Sequence, residues 1–163
     1  MPSLTARLIS TLLRTTGVVR RRFSDGPGFE GRIADSREKQ PFPTAKMRAR
    51  LDVRESLFDG RKVFRIAPKD RPVTGQMLFW HGGGYVYPAA DIHWQFYAHM
   101  AEKHGIVTTA PLYPLAPEAD AKVTIDWALR FYREFTPERA GPFVMGGDSA
   151  GKQGNGGAPA AHR

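Results

Sequence analysis

Gly147-Asp148-Ser149-Ala150-Gly151 reads G-x-S-x-G and follows the short apolar run Pro142 to Met145. An apolar run that stops at a turn of small residues predicts a buried strand, then a sharp turn, then a helix. Small residues on both sides let the turn be tight enough to hold Ser149 at a strained φ/ψ with its hydroxyl exposed. A serine presented in this way is a candidate nucleophile. The plain alternative is a serine in an ordinary tight turn, and the rest of the chain has to decide between the two.

A second stretch, His81-Gly82-Gly83-Gly84, lies 68 positions before Ser149 and directly follows the short apolar run Gln76 to Trp80. Attack of a serine on an ester carbonyl needs a nucleophile, a base that takes its proton, and donors for the oxyanion. Glycines at the end of a strand free backbone N–H groups to converge with no side chain in the way. The N–H groups of Gly82 and Gly83, together with that of Ala150, are the candidate oxyanion hole, and one such donor is worth about 3 kcal/mol of barrier. A flexible turn is the plain alternative. A phosphate-binding loop is the weaker rival, because no Lys-Ser/Thr follows the glycines and the G-x-G-x-x-G spacing is absent. His81 precedes its own donors and reads as a structural residue holding the loop, not as the base.

The segments around these motifs predict an α/β fold. Leu51 to Leu57 alternates, with Leu51, Val53 and Leu57 against Asp52, Arg54 and Glu55. Asp59-Gly60 is a hairpin signal, and Lys62 to Ala67 alternates again, which predicts an antiparallel pair at a sheet edge. Residues 91–104 read as a helix with Ile92, Phe96 and Met100 at i, i+4 and i+8, and Gly105 sits where a terminating glycine belongs. Ile106 to Ala110 is β-branched and apolar, a buried strand. Asp120 to Phe135 reads as a helix with Ile125, Ala128, Leu129 and Tyr132 on one face, ended by Pro137. Strands and helices that alternate after residue 75 predict parallel strand–helix–strand units.

Three of these stretches together resemble successive signatures of the hormone-sensitive-lipase-like family, the bacterial class IV esterases of the α/β-hydrolase fold. They are His81-Gly82-Gly83-Gly84-Tyr85, Tyr113-Pro114-Leu115-Ala116-Pro117-Glu118 and Gly147-Asp148-Ser149-Ala150-Gly151. The resemblance covers roughly residues 50–151. It implies an α/β-hydrolase fold, hydrolysis of small carboxylic esters through Ser149, and no cofactor or metal. It makes Asp148 part of the turn and not the triad acid, and Glu118 a structural residue near the site; His81, Gly84, Gly147 and Gly151 enter as motif residues. In this family the triad acid and histidine follow the serine. After Ser149 this chain has no Asp or Glu and a single histidine, His162. The expectation is therefore an incomplete fold: the N-terminal half of a mostly parallel sheet, inactive as it stands. Its Met145 strand would be left as an open edge prone to self-association.

Other histidines are weak substitutes for the missing base. His99 and His104 read as solvated or helix-end residues, His93 as a residue at the pocket mouth within reach of substrate, and His162 as part of a tail with no acid to orient it. That tail, 152–163, breaks the pattern: Gly154, Gly156, Gly157 and Pro159 argue against the helix that the turn should feed. Residues 1–45 form the expected N-terminal helix and cap-like segment, with 23–45 a loop, ahead of a partial hydrolase domain over 46–151.

The chain of 163 residues suffices for one ordinary domain, and 41% hydrophobic with 25% charged residues is a globular balance. Lack of cysteine removes disulfides and thiolate metal sites. The net charge of +8 is mostly N-terminal. Residues 1–22 hold five of the 24 bases and no acid, so the remainder carries 19 bases against 16 acids. No basic, aromatic-interleaved module supports nucleic-acid binding, and no run reaches the ~18–20 apolar residues of a membrane span. Three readings compete for residues 3–15, with Leu4, Leu8, Ile9, Leu12 and Leu13 on one side: a packed helix, a membrane-surface helix, and a transit peptide that would redirect an otherwise cytoplasmic protein.

Overall fold

In a computed structural model of the chain, residues 27–135 and 141–149 are described. The chain forms two compact units, Met1–Asp35 and Ser36–Arg163. The described part of the first is short. Gly28 accepts from the Arg32 N–H at 3.0 Å and opens helix α1, Phe29–Glu38, so the loop expected over 23–45 contains a helix. Its residues explain it: Glu30 sits in the first turn and Arg37 in the last, which suits the helix dipole, and no glycine or proline interrupts 32–38. The amphipathic segment at 3–15 and the tail at 152–163 lie outside the described residues.

The second unit is built on a five-stranded sheet in the order β1-β2-β4-β3-β5. Helix α2, Ala45–Arg50, is capped by Thr44, whose hydroxyl accepts from the Met47 N–H. It runs into β1, Leu51–Phe58, which pairs antiparallel with β2, Arg61–Pro68. Asp59 and Gly60 both have positive φ (49° and 74°), the signature of the tight hairpin turn the sequence predicts. β2 pairs antiparallel with β4, Ile106–Pro111. β4 pairs in parallel with β3, Gly75–Trp80, and β3 in parallel with β5, Phe143–Gly147. The expected strand–helix–strand alternation holds, with α3, Asp91–His104, between β3 and β4, and α4, Ala121–Glu134, between β4 and β5.

Both long helices turn a different face to the sheet from the one their aliphatic spacing suggests. In α3 the buried residues are Trp94, Tyr97, Ala98 and Ala101, while Ile92 is 71% exposed. In α4 they are Thr124, Trp127 and Phe131, while Ile125, Leu129 and Tyr132 are exposed. The reason is area: an aromatic ring buries more apolar surface than an aliphatic side chain and gains from edge contacts. Trp94 meets Phe64 edge-on at 5.1 Å, and Phe58 meets both Trp127 and Phe131 the same way at 5.2 and 5.1 Å. Two apolar clusters result, one on each face of the sheet, centred on Phe64, Trp94 and Tyr97 and on Trp80, Trp127 and Phe131.

Candidate active site

The C-terminal ends of β3, β4 and β5 bring the three motifs together. β3 delivers His81 at its end. The ring is 2% exposed and stacks on Tyr113 at 4.5 Å and 17°. The Tyr113 hydroxyl donates to the His81 carbonyl at 2.6 Å, which ties the glycine loop to the segment after β4. Nδ1 of His81 lies 2.9 Å from the Gly82 carbonyl, so it carries the proton and donates. Burial is the main reason the His81 pKa falls to about 4, with nearby His93 pressing the same way, so the ring is neutral at neutral pH. His81 is thus buried, neutral and bonded at the start of the glycine loop.

The loop itself is bent at glycines that tolerate no substitute. Gly83 has φ 140°, and a Cβ there would stand 2.3 Å from the Tyr87 carbonyl oxygen; the Tyr87 backbone cannot retreat without loosening the turn, because Gly83 O accepts from the N–H groups of Val86 and Tyr87. A second layer of bonds braces the loop from outside. The Ala116 N–H donates to the Tyr85 carbonyl at 2.8 Å. The Arg37 guanidinium donates to the carbonyls of Val86 and Ala116 and pairs with Glu118. That pairing is the leading cause of the lowered pKa of Glu118. Glu118 therefore reaches the loop through Arg37, a residue that no local sequence signal singles out.

β5 carries the serine. Ser149 is exposed and has φ 49°, a left-handed conformation that a non-glycine residue adopts at on the order of 1–2 kcal/mol. The residue before it, Asp148, turns one edge of its carboxylate toward the glycine loop. Its Oδ1 accepts the Gly82 N–H at 2.7 Å, and both carboxylate oxygens lie 3.3–3.4 Å from Nε2 of His93. A Cβ on Gly82 would collide with this carboxylate at 2.4 Å. Gly82 therefore spends its N–H on Asp148, whereas the N–H groups of Gly83 and Gly84 have no hydrogen-bond partner among the described residues. Ala150 and Gly151 lie outside the described residues. Of the other histidines, His99 and His104 are exposed, His93 is nearly buried against Asp148, and His162 is outside the described residues. The signal for His93 was its position, third in the helix that follows the glycine loop.

A glycine loop after one parallel strand and a serine at positive φ after the next are the arrangement of an α/β hydrolase. A family model described as alpha/beta hydrolase fold matches residues 77–155 of the chain. Over 94 residues it is 29% identical to LipR of Mycobacterium tuberculosis, which bears the name of an acetyl-hydrolase; the match covers 56% of this chain and 30% of that one. The fold is similar to that of a protein from Staphylococcus aureus solved under the name of an esterase, with TM-score 0.60 and 20% identity over 76% of this chain and 42% of that one. It is also similar to a hormone-sensitive lipase from a metagenome library, with TM-score 0.57 and 22% identity over 94% of this chain and 53% of that one. The chain spans under a third of the curated relative and about half of these solved structures. Among the described residues no helix is long and apolar enough to cross a membrane.

Proposed function

We propose that the chain carries the nucleophile and oxyanion loop of a carboxylic ester hydrolase acting on small esters, with acyl transfer through Ser149. The observation that carries this reading is Ser149 itself, exposed at φ 49° beyond the end of β5, with its neighbour Asp148 bonded to the glycine loop. The names borne by the relatives support the same reading. Ser149 Oγ attacks the carbonyl carbon and gives its proton to a base while the carbonyl oxygen becomes an oxyanion. Gly83 and Ala150 keep the donor part assigned from the sequence. Gly82 becomes the anchor of the loop because Asp148 holds its N–H, and the N–H of Gly84, unpaired among the described residues, takes its place. Each donor contributes about 3 kcal/mol to the barrier lowering.

Residues 150–163 hold no Asp or Glu to complete the triad, and their single histidine, His162, has no acid after Ser149 to orient it. These 163 residues alone should therefore turn over slowly, since loss of triad members lowers rates about 10⁴–10⁶-fold. That deficit favours one other reading, a non-catalytic module binding an ester-like or apolar ligand in the same pocket. A fluorophosphonate probe and p-nitrophenyl butyrate separate the two. Labelling and residual hydrolysis in the wild type that vanish in Ser149→Ala support the hydrolase. Background rates and no labelling in both leave only the binding module. The edge of β5 that has no partner strand among the described residues we assign to self-association of the chain.

A further inference from the structure

Asp148 is the point at which the serine turn, the glycine loop and the start of α3 meet. We propose that His93 is a positioning residue for the serine turn and acts through Asp148.

The tautomer follows from the hydrogen bonds. The Ala90 N–H points at Nδ1 of His93 at 2.8 Å. An N–H can only donate, so Nδ1 must offer a bare lone pair. The proton of the neutral ring is then on Nε2, which faces Asp148 at 3.3 Å from Oδ1 and 3.4 Å from Oδ2. Nε2–H donates to the carboxylate, and Oδ1 in turn accepts from Gly82 at a short, charge-assisted 2.7 Å. The two side chains differ in burial, His93 being 11% exposed and Asp148 48%. The histidine is fixed on a helix and the aspartate is the half-solvated member. Left alone, the aspartate would gain rotamer freedom and water by swinging out.

His93 also does half of a helix-capping job. It occupies the third position of α3 and bonds back to the N-cap N–H, as Glu or Gln does in a capping box, while Ala90 has no side-chain oxygen to return. The ring therefore uses one nitrogen on its own helix and the other on the turn that carries Ser149. Through it the start of α3 holds Asp148, Asp148 holds Gly82, and the glycine loop is kept at a fixed distance from the serine. Only the use of that distance in ester chemistry rests on the hydrolytic reading; the geometry is measurable whether or not Ser149 reacts.

The dual use gives a test. Gln at position 93 keeps an acceptor for Ala90 and offers an amide donor to Asp148. Glu keeps the acceptor but sets a carboxylate against Asp148. Amide hydrogen exchange at Gly82 and Ala90 should stay within about threefold of wild type in His93→Gln. In His93→Glu, Ala90 should stay protected while exchange at Gly82 accelerates tenfold or more. Unchanged Gly82 protection in a folded His93→Glu, judged by unchanged exchange in the β3–β4 ladder, overturns the proposal. If that variant does not fold, the wild-type long-range proton–nitrogen spectrum decides: a proton on Nε2 of His93 sustains the assignment, and a proton on Nδ1 overturns it.

Discussion

The two neighbours of β3 lie in unlike surroundings. On one side β4 is followed by β2 and β1, and α3 packs on that part of the sheet; Phe64, Ile66, Trp94 and Tyr97 are each 2% exposed or less. On the other side β5 pairs with β3 alone among the described residues, and its Val144 is 53% exposed. Yet Ser149 hangs from the barer strand. The bonds that place it run sideways between loops, from Gly82 to Asp148, from Tyr113 to His81, and from Arg37 to the carbonyls of Val86 and Ala116. The covered flank holds the fold, and the cross-links hold the site. The two can be broken separately.

The largest effect should come from the covered flank. Trp94 joins Phe64 and Tyr97 through edge contacts, and its indole N–H donates to the Pro41 carbonyl at 2.9 Å. Trp94→Ala should lower stability by about 3–5 kcal/mol, read from the urea midpoint at constant slope. A loss below about 1 kcal/mol would mean that this cluster is not what holds the sheet.

His81 tests where the two regions join. Its pKa is lowered from 6.5 to about 4 in the folded chain, chiefly by burial. Between these values the unfolded chain binds the proton and the folded chain does not, so stability rises with pH across that window. The contribution is complete above pH 6.5 and is lost as pH falls toward 4, a difference of roughly 3 kcal/mol. His81→Phe keeps a flat ring on Tyr113 and cannot titrate. Its stability should fall less steeply than that of the wild type across this window. Parallel pH profiles for the two proteins would show that His81 is not buried neutral.

The legible parts of the sequence were those governed by short-range rules. The Asp59-Gly60 hairpin, the terminating Gly105 and the turn at Ser149 follow from backbone conformations that few residues adopt, and the strand at Ile106 from its β-branched run. The choice of helix face was not legible, because Ile92, Phe96 and Met100 make as regular a stripe as Trp94, Tyr97 and Ala101. Only the pairing of rings across elements decides between them. In the site the motif glycines and Ser149 could be read, but Asp148 on Gly82 could not. That bond spans 66 residues and occupies the N–H of Gly82, a predicted oxyanion donor. Arg37, 79 residues from Ala116, was beyond sequence reasoning for the same reason.

The smallest effect on stability, and the sharpest on the comparison, should come from the bare flank. Val144 lies opposite Met77 in the β3–β5 register, with its side chain half in solvent. A lysine there has little packing to lose, so Val144→Lys should change stability by no more than about 0.5 kcal/mol. It should nonetheless weaken self-association several-fold, because a charge on an edge strand makes pairing with another copy bury an unpaired cation. Sedimentation of wild type and variant at matched concentrations separates these effects. If association persists unchanged while stability holds, the strand edge is not the sticky element. The exposed stripe of Ile125, Leu129 and Tyr132 on α4 is then the surface to alter next. If stability falls by several kcal/mol instead, Val144 is packed in the folded chain, and the contrast between the two sides of β3 disappears.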